Sequence, residues 1–291
     1  MKKAPWFYLN KLDISLLFFI MVFITWLCVK DSGSLSYHWN WSKAVTLLFS
    51  TRADGSISYF IQGLLATLRL TFWGTLFAIT FGVLLGLGRR SNIWILRVLS
   101  NCYVQLIRNI PPLVFIFIFY FFVANQLIPL LGLASLLREH QSDINTVQLW
   151  LFGQVNLWEN LASGVLCIGM ISAAYIGEVV RSGLDNLDKG QNEAAKTLGL
   201  STWHRYRYVI APQVFKMIIP PLAGQIISLI KDSSIVSLIS IQELTFVGSE
   251  IANSTGMIFE IWGIVAVCYF ILCFVLSQIF GHLERRYRSF S

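Results

Sequence analysis

Long apolar runs separated by short polar segments dominate this chain. A helix needs about 20 apolar residues to cross roughly 30 Å of hydrocarbon. Runs of that order lie at Leu12–Val29, Phe60–Leu87, Pro111–Leu131, Leu161–Val180, between Phe215 and Val247, and at Met257–Phe280, which predicts six spans. The fifth run is too long for one straight crossing: Pro220 to Val247 as continuous helix would extend about 42 Å at roughly 1.5 Å per residue. Its centre holds Lys231-Asp232-Ser233-Ser234. A broken helix at membrane depth is tolerated only where protein buries it or where it lines a cavity.

Small residues mark where helices pack. Gly74, Ala78, Gly82 and Gly86 recur every four residues, as do Gly169, Ala173 and Gly177. In lipid there is little hydrophobic drive between helices, so such stripes allow close backbone contact. Arg108-Asn109-Ile110-Pro111-Pro112 marks a helix start, because proline loses nothing by lacking an N–H there. Trp94–Ile107 is then expected to lie along the membrane interface as a separate helix.

Composition agrees with a polytopic membrane protein: 56% of the 291 residues are hydrophobic and 13% charged. The net charge of +7 is sorted by loop, which a membrane topology explains and nucleic-acid binding does not. Lys2, Lys3 and Lys11 precede the first run; Arg89, Arg90, Arg97 and Arg108 follow the second. Arg181, Lys189, Lys196, Arg205, Arg207 and Lys216 follow the fourth, and Arg285, Arg286 and Arg288 the last. The alternate loops hold only Lys30, Lys43, Arg52 and Arg138, which places both termini in the cytoplasm. The basic start and apolar Ile14–Leu27 suit a signal peptide, but no small-residue cleavage site follows, so a retained anchor helix is expected. Five cysteines stand singly and four histidines are scattered, giving no disulfide or metal spacing.

Chemistry-bearing residues are few. Ionisable groups inside spans usually face a bundle interior or a water-filled path, which singles out Lys231 and Asp232 with Ser233 and Ser234. Thr67 and Thr71 share one face of the second run, and Tyr175 and Glu178 one face of the fourth. Glu178 has a structural alternative, an ion pair with Arg181 one turn on. In a basic loop, Gly190-Gln191-Asn192-Glu193-Ala194-Ala195-Lys196-Thr197-Leu198-Gly199 predicts a short helix that Gly199 stops in the left-handed conformation. Small residues there let a partner approach the backbone, and Glu193 offers a charged handle.

These residues resemble the inner-membrane permease subunits of ATP-binding-cassette importers, in particular the polar amino acid group. Glu193, Ala194, Ala195 and Gly199, then Val209 and Pro212, match the cytoplasmic signature of that family, with Ala211 in place of its usual Leu. Ala174-Tyr175 with Glu178 and Arg181, Pro220-Pro221-Leu222, Lys231 through Ile239, Glu243-Leu244, and Gly63 with Thr67 are similar to stretches of the amino acid group. Arg108–Pro111 looks more like its glutamate/aspartate or broad-specificity members, whereas Phe115 stands where the group often has Gln.

The resemblance implies an all-α polytopic membrane protein of the bacterial inner membrane, with a five-helix permease core plus an extra N-terminal transmembrane helix. Residues 1–58 would be anchor and external segment, 59–285 the permease domain with a coupling helix near 189–200, and 286–291 a cytoplasmic tail. It also implies ATPase subunits docked at Glu193, Ala194, Ala195 and Gly199, an extracytoplasmic amino acid-binding protein, and a second permease copy or sister permease. No cofactor is expected on this chain: it has no GxxxxGK[ST] phosphate loop, so ATP and Mg²⁺ belong to the partner ATPase. An ion-gradient-driven secondary transporter stays open as the alternative.

Overall fold

In the computed structural model, the described residues are 11–31, 37–50, 55, 57–130, 132 and 146–288, and every regular element among them is a helix. Lys2, Lys3, the middle of the 125–158 loop with Arg138, and the last residues of the tail lie outside them. The chain divides into two units, Met1–Asn40 and Trp41–Ser291.

Among its described residues the first unit contains one helix, α1 (Lys11–Asp31), 21 residues long. Its Phe18, Phe19 and Met21 are exposed. A helix that is apolar all round suits a lipid surface.

The second unit carries five helical segments long and apolar enough to cross a membrane. They are α3 (Tyr59–Arg89), α5 (Pro112–Leu130), α7, which is Trp158–Asp185 within the segment Val147–Asp185, α9 with its flanking turns (Thr202–Ile239), and α11 (Ile258–Arg288). Between them lie α2 (Trp41–Phe49), α4 (Trp94–Asn109), α6 (Thr146–Phe152), α8 (Lys189–Thr197) and α10 (Leu244–Thr255). The junction read at Arg108–Pro112 is present: Ile110 and Pro111 are extended and α5 begins at Pro112. The helix expected at Trp94–Ile107 forms as α4, which buries Ser100, Val104 and Ile107 and leaves Trp94, Ile95 and Leu99 exposed. That split is what an interfacial helix needs. Burial pushes the Tyr103 phenol of α4 up, and its hydroxyl donates to the Met170 carbonyl at 2.9 Å.

The core is built on α3 packed along α7. Added Cβ atoms at Gly82 and Gly86 would each lie 2.6 Å from a side-chain atom across the contact, on Ile176 and Val180 respectively. Gly177 sits reciprocally close to Leu85. The small-residue stripes are therefore the helix–helix contact, with no room for a ligand between them. A second cluster joins α2 and the start of α3 to α10 and α11 through Leu48, Phe60, Leu244, Val247 and Ile261.

The run from Phe215 to Val247 is not one broken span. The α-helix ends at Asp232, Ser233–Ile239 winds as 3₁₀, and Ser240 takes a left-handed conformation at φ 62°. Glu243 then caps α10, which is separate. The crossing segment instead starts earlier, at Thr202, through a π turn at Tyr206–Ile210 that leads into α9 (Ala211–Asp232). Hydropathy hides this boundary, because apolar residues continue through both the 3₁₀ turn and α10.

Candidate functional site

The helix expected at the Glu193 loop forms, and its ends are built from local chemistry. Asp188 caps α8 by accepting from the Gly190 N–H at 2.8 Å. At the other end Gly199 sits at φ 72°. Its N–H donates to the Lys196 carbonyl at 2.9 Å and the Leu200 N–H to the Ala195 carbonyl at 3.2 Å. This is the paired bonding of a Schellman stop, which needs the left-handed residue that glycine supplies at least cost. Ala195 is buried, while Glu193, Ala194 and Gly199 are exposed beside the exposed apolar side chains of Leu198 and Trp203. The helix packs against the Tyr206–Ile210 turn that leads into α9.

Near the same end of the bundle, Glu178 on α7 receives three guanidinium groups. Arg89 of α3 and Arg108 of α4 both donate to its Oε2, Arg108 at 2.9 Å, and Arg181 donates to Oε1. Arg181 also pairs with Asp185, which Arg90 reaches at 3.3 Å. Arg89 is further fixed by Asn101 at 2.7 Å, and the Arg108 guanidinium lies 5.8 Å from the centre of the Tyr175 ring. One carboxylate thus ties α3, α4 and α7 together, and four arginines face two acids.

Thr67 and Thr71 lie elsewhere. Thr71 donates to the Thr67 carbonyl at 2.8 Å, and Thr67 accepts from the Leu244 N–H at 3.0 Å. Thr67 adjoins Glu243, which is fully buried. Glu243 accepts from Tyr269 Oη at 2.6 Å, the Phe246 N–H at 2.9 Å and Thr67 Oγ1 at 3.4 Å, joining α3, α10 and α11. A buried carboxylate requires such donors, since an unsatisfied one is costly.

Lys231 is exposed and Asp232 half-buried on the last turn of α9. The Ser233 and Ser234 hydroxyls donate to the carbonyls of Ile230 and Lys231 at 2.6 and 2.7 Å, closing the 3₁₀ turn. The eight residues singled out for a path therefore fall into three places: 231–234 at the end of α9, Thr67 with Thr71 at the Glu243 knot, and Tyr175 with Glu178 in the arginine cluster. None of them lines the cavity of about 400 Å³ between the starts of α3 and α7. Sequence reasoning counted Arg89 only as a loop charge and Glu243 only within a family stretch, and it passed over Arg69. A lone arginine ten residues into an apolar run was the available signal for Arg69.

Residues 78–289 match the family model described as binding-protein-dependent transport system inner membrane component. The chain is 32% identical over 231 residues to the glutamine transport system permease protein of Escherichia coli strain K12, covering 79% of this chain and 94% of that one. It is also 32% identical over 234 residues to an inner membrane amino-acid ABC transporter permease protein of the same strain, covering 78% of this chain and 56% of the relative's length. Among solved structures, an amino acid ABC transporter crystallised with histidines superposes with a TM-score of 0.65 at 28% identity, over 86% of this chain and 100% of that one.

Proposed function

We propose, from the premise that this chain belongs to the binding-protein-dependent transport system inner membrane component family, that it is the membrane-spanning permease subunit of an ATP-driven importer of polar amino acids. The observation that carries this reading is the family match across residues 78–289, supported by relatives and a structural neighbour that are amino acid transporters. The chain is a multi-pass protein of the bacterial inner membrane and a transport subunit rather than an enzyme. ATP hydrolysis falls to partner ATPase subunits, delivery of the amino acid to an extracytoplasmic binding protein, and completion of the path to a second permease copy or sister permease. Residues 59–285 form the permease domain, and α1 is an added anchor span that leaves both termini cytoplasmic. A reporter fused after Ser291 should accordingly read cytoplasmic.

The coupling step follows from how α8 is mounted. The ATPase docks on its exposed face around Glu193, Ala194 and Gly199. Because α8 packs on the Tyr206–Ile210 turn, displacement of α8 is handed to α9, whose far end carries Lys231 and Asp232 as a gate. Closure of the ATPase shifts the permease only through its differential affinity for the two states. Proteoliposomes holding the permease, its ATPase and the binding protein test the proposal. ATP-dependent amino acid uptake that survives a protonophore is expected; uptake driven by an ion gradient without ATP would overturn it.

A further inference from the structure

The cavity between the starts of α3 and α7 is lined by one cation, Arg69, and by no carboxylate among the described residues. Arg69 lies ten residues into α3, about 15 Å along the helix at roughly 1.5 Å per residue, where a charge is expensive unless it has a task. Its Nε donates to the Trp150 carbonyl at 2.8 Å and its Nη2 to the Leu149 carbonyl at 3.1 Å. These are terminal carbonyls of α6, which a cation caps favourably, and Trp73 holds the next one, Leu151, at 3.0 Å. The capping fixes the guanidinium plane but leaves Nη1 without a protein acceptor among the described residues.

The chain passes close over the guanidinium at Gly153. A Cβ added at Gly153 would stand 2.9 Å from Nη1, and Gly153 itself sits at φ 79°. The glycine therefore keeps the space beside the guanidinium open. The cavity of about 400 Å³ is lined by apolar side chains and a few polar ones, among them Gln62, Gln154, Asn160 and Gln242, with no acid among the described residues. The amides of Asn160 and Gln242 make no hydrogen bond to the rest of the described protein. Gln62 and Gln154 are bonded to each other at 3.4 Å, and a mostly apolar hollow with a few further polar groups left unengaged has the make-up of a small-molecule site.

We propose that this cavity binds the α-carboxylate of an amino acid through Arg69, with Asn160 and Gln242 supplying amide contacts to the rest of the ligand. It lies at the end of the bundle opposite α8, where a solute would be received before crossing. That the ligand is an amino acid rests on the importer reading above; that it carries a carboxylate rests on the cation and the absence of any acid from the lining.

The test uses the assembled permease–ATPase complex in nanodiscs, without binding protein. The probe is an equimolar mixture of the twenty ¹⁴C-labelled L-amino acids, with their unlabelled α-carboxamides as competitors. Bound label should resist the carboxamides. Arg69→Gln should weaken binding about tenfold or more, the scale of losing a charge-assisted pair. Asn160→Ala and Gln242→Ala remove no hydrogen bond of the fold, so they should weaken binding at an unchanged melting temperature, which separates ligand contact from the clamping role of Arg69. Carboxamides that displace the label as well as the acids do, or wild-type binding in both amide variants, would overturn the site. An absence of bound label in a complex that still imports amino acids with its binding protein would do the same. A wild-type system that neither binds nor imports any amino acid would instead overturn the importer reading.

Discussion

Replacing Gly82 by Ala tests whether the α3–α7 contact is as tight as the backbone geometry states. The new Cβ would lie 2.6 Å from Ile176 Cγ2, 2.7 Å from Ile176 Cβ and 3.0 Å from the Ala173 carbonyl oxygen. Carbon atoms prefer separations of about 3.5–4.0 Å, so the helices must part locally by about 1 Å. Ile176 cannot turn away, because a β-branched side chain has essentially one rotamer in a helix, and the carbonyl belongs to the backbone. Overpacking of this kind costs about 1–3 kcal/mol, against which alanine returns up to about 1 kcal/mol of helix propensity. With the full propensity gain subtracted, a net loss of up to about 2 kcal/mol remains. Gly281→Ala is the matched control: it sits in α11 with nothing within 4 Å of the added Cβ, and only the propensity gain applies. Thermal unfolding of the purified permease in detergent should show a lower midpoint for Gly82→Ala and an equal or higher one for Gly281→Ala. Equal shifts in the two variants would refute the close contact.

Gly199→Val forces a β-branched residue to φ 72°, at a cost of roughly 1–2 kcal/mol; ATPase co-purification and binding-protein-stimulated hydrolysis should fall while membrane insertion persists. Lys231→Met and Asp232→Asn should insert and assemble normally yet reduce uptake per folded complex in vesicles, and full uptake in both would remove the gate assignment. Glu243→Ala leaves the Phe246 N–H without its acceptor, at roughly 1–3 kcal/mol, and the Tyr269 hydroxyl with only Thr245 Oγ1 at 2.9 Å, so its unfolding midpoint should drop below that of Glu243→Gln, which keeps an acceptor oxygen. A Gln variant no better than Ala would mean that the carboxylate charge, not its acceptor geometry, holds the knot.

Much of the fold was legible because each mark has a local physical cause. Pro111 and Pro112 end one helix and begin another whatever surrounds them, and the glycine stripes specify which faces meet before any partner helix is known. The stop at Gly199 is equally local: the residue that tolerates positive φ stands where the last carbonyls need closing. The exit of α9 was not legible, because its boundary depends on Ser233, Ser234 and Ser237 turning their hydroxyls back onto carbonyls three residues earlier. Serines in an apolar run read equally well as pore-facing groups.

The side-chain networks were hidden for a different reason: their partners are far apart in the chain. Glu178 has Arg181 one turn away, and that pair could be read from spacing alone, but Arg89 and Arg108 reach it from α3 and α4. Loop charges counted for topology thus turned out to be structural as well. Glu243 presents the converse case, an acid at the edge of an apolar run whose donors come from residues 176 and 26 positions away, Thr67 and Tyr269. Arg69 combines both difficulties. Its carbonyl partners lie 80 and 81 residues on, at Leu149 and Trp150, in a short helix that no periodicity ties to α3. Only the assembled bundle brings α6 over the guanidinium, and only then does Arg69 line a hollow with no acid among its described lining residues. The residue with the strongest claim to a ligand is therefore one whose role depends on a contact that spacing along the chain cannot encode.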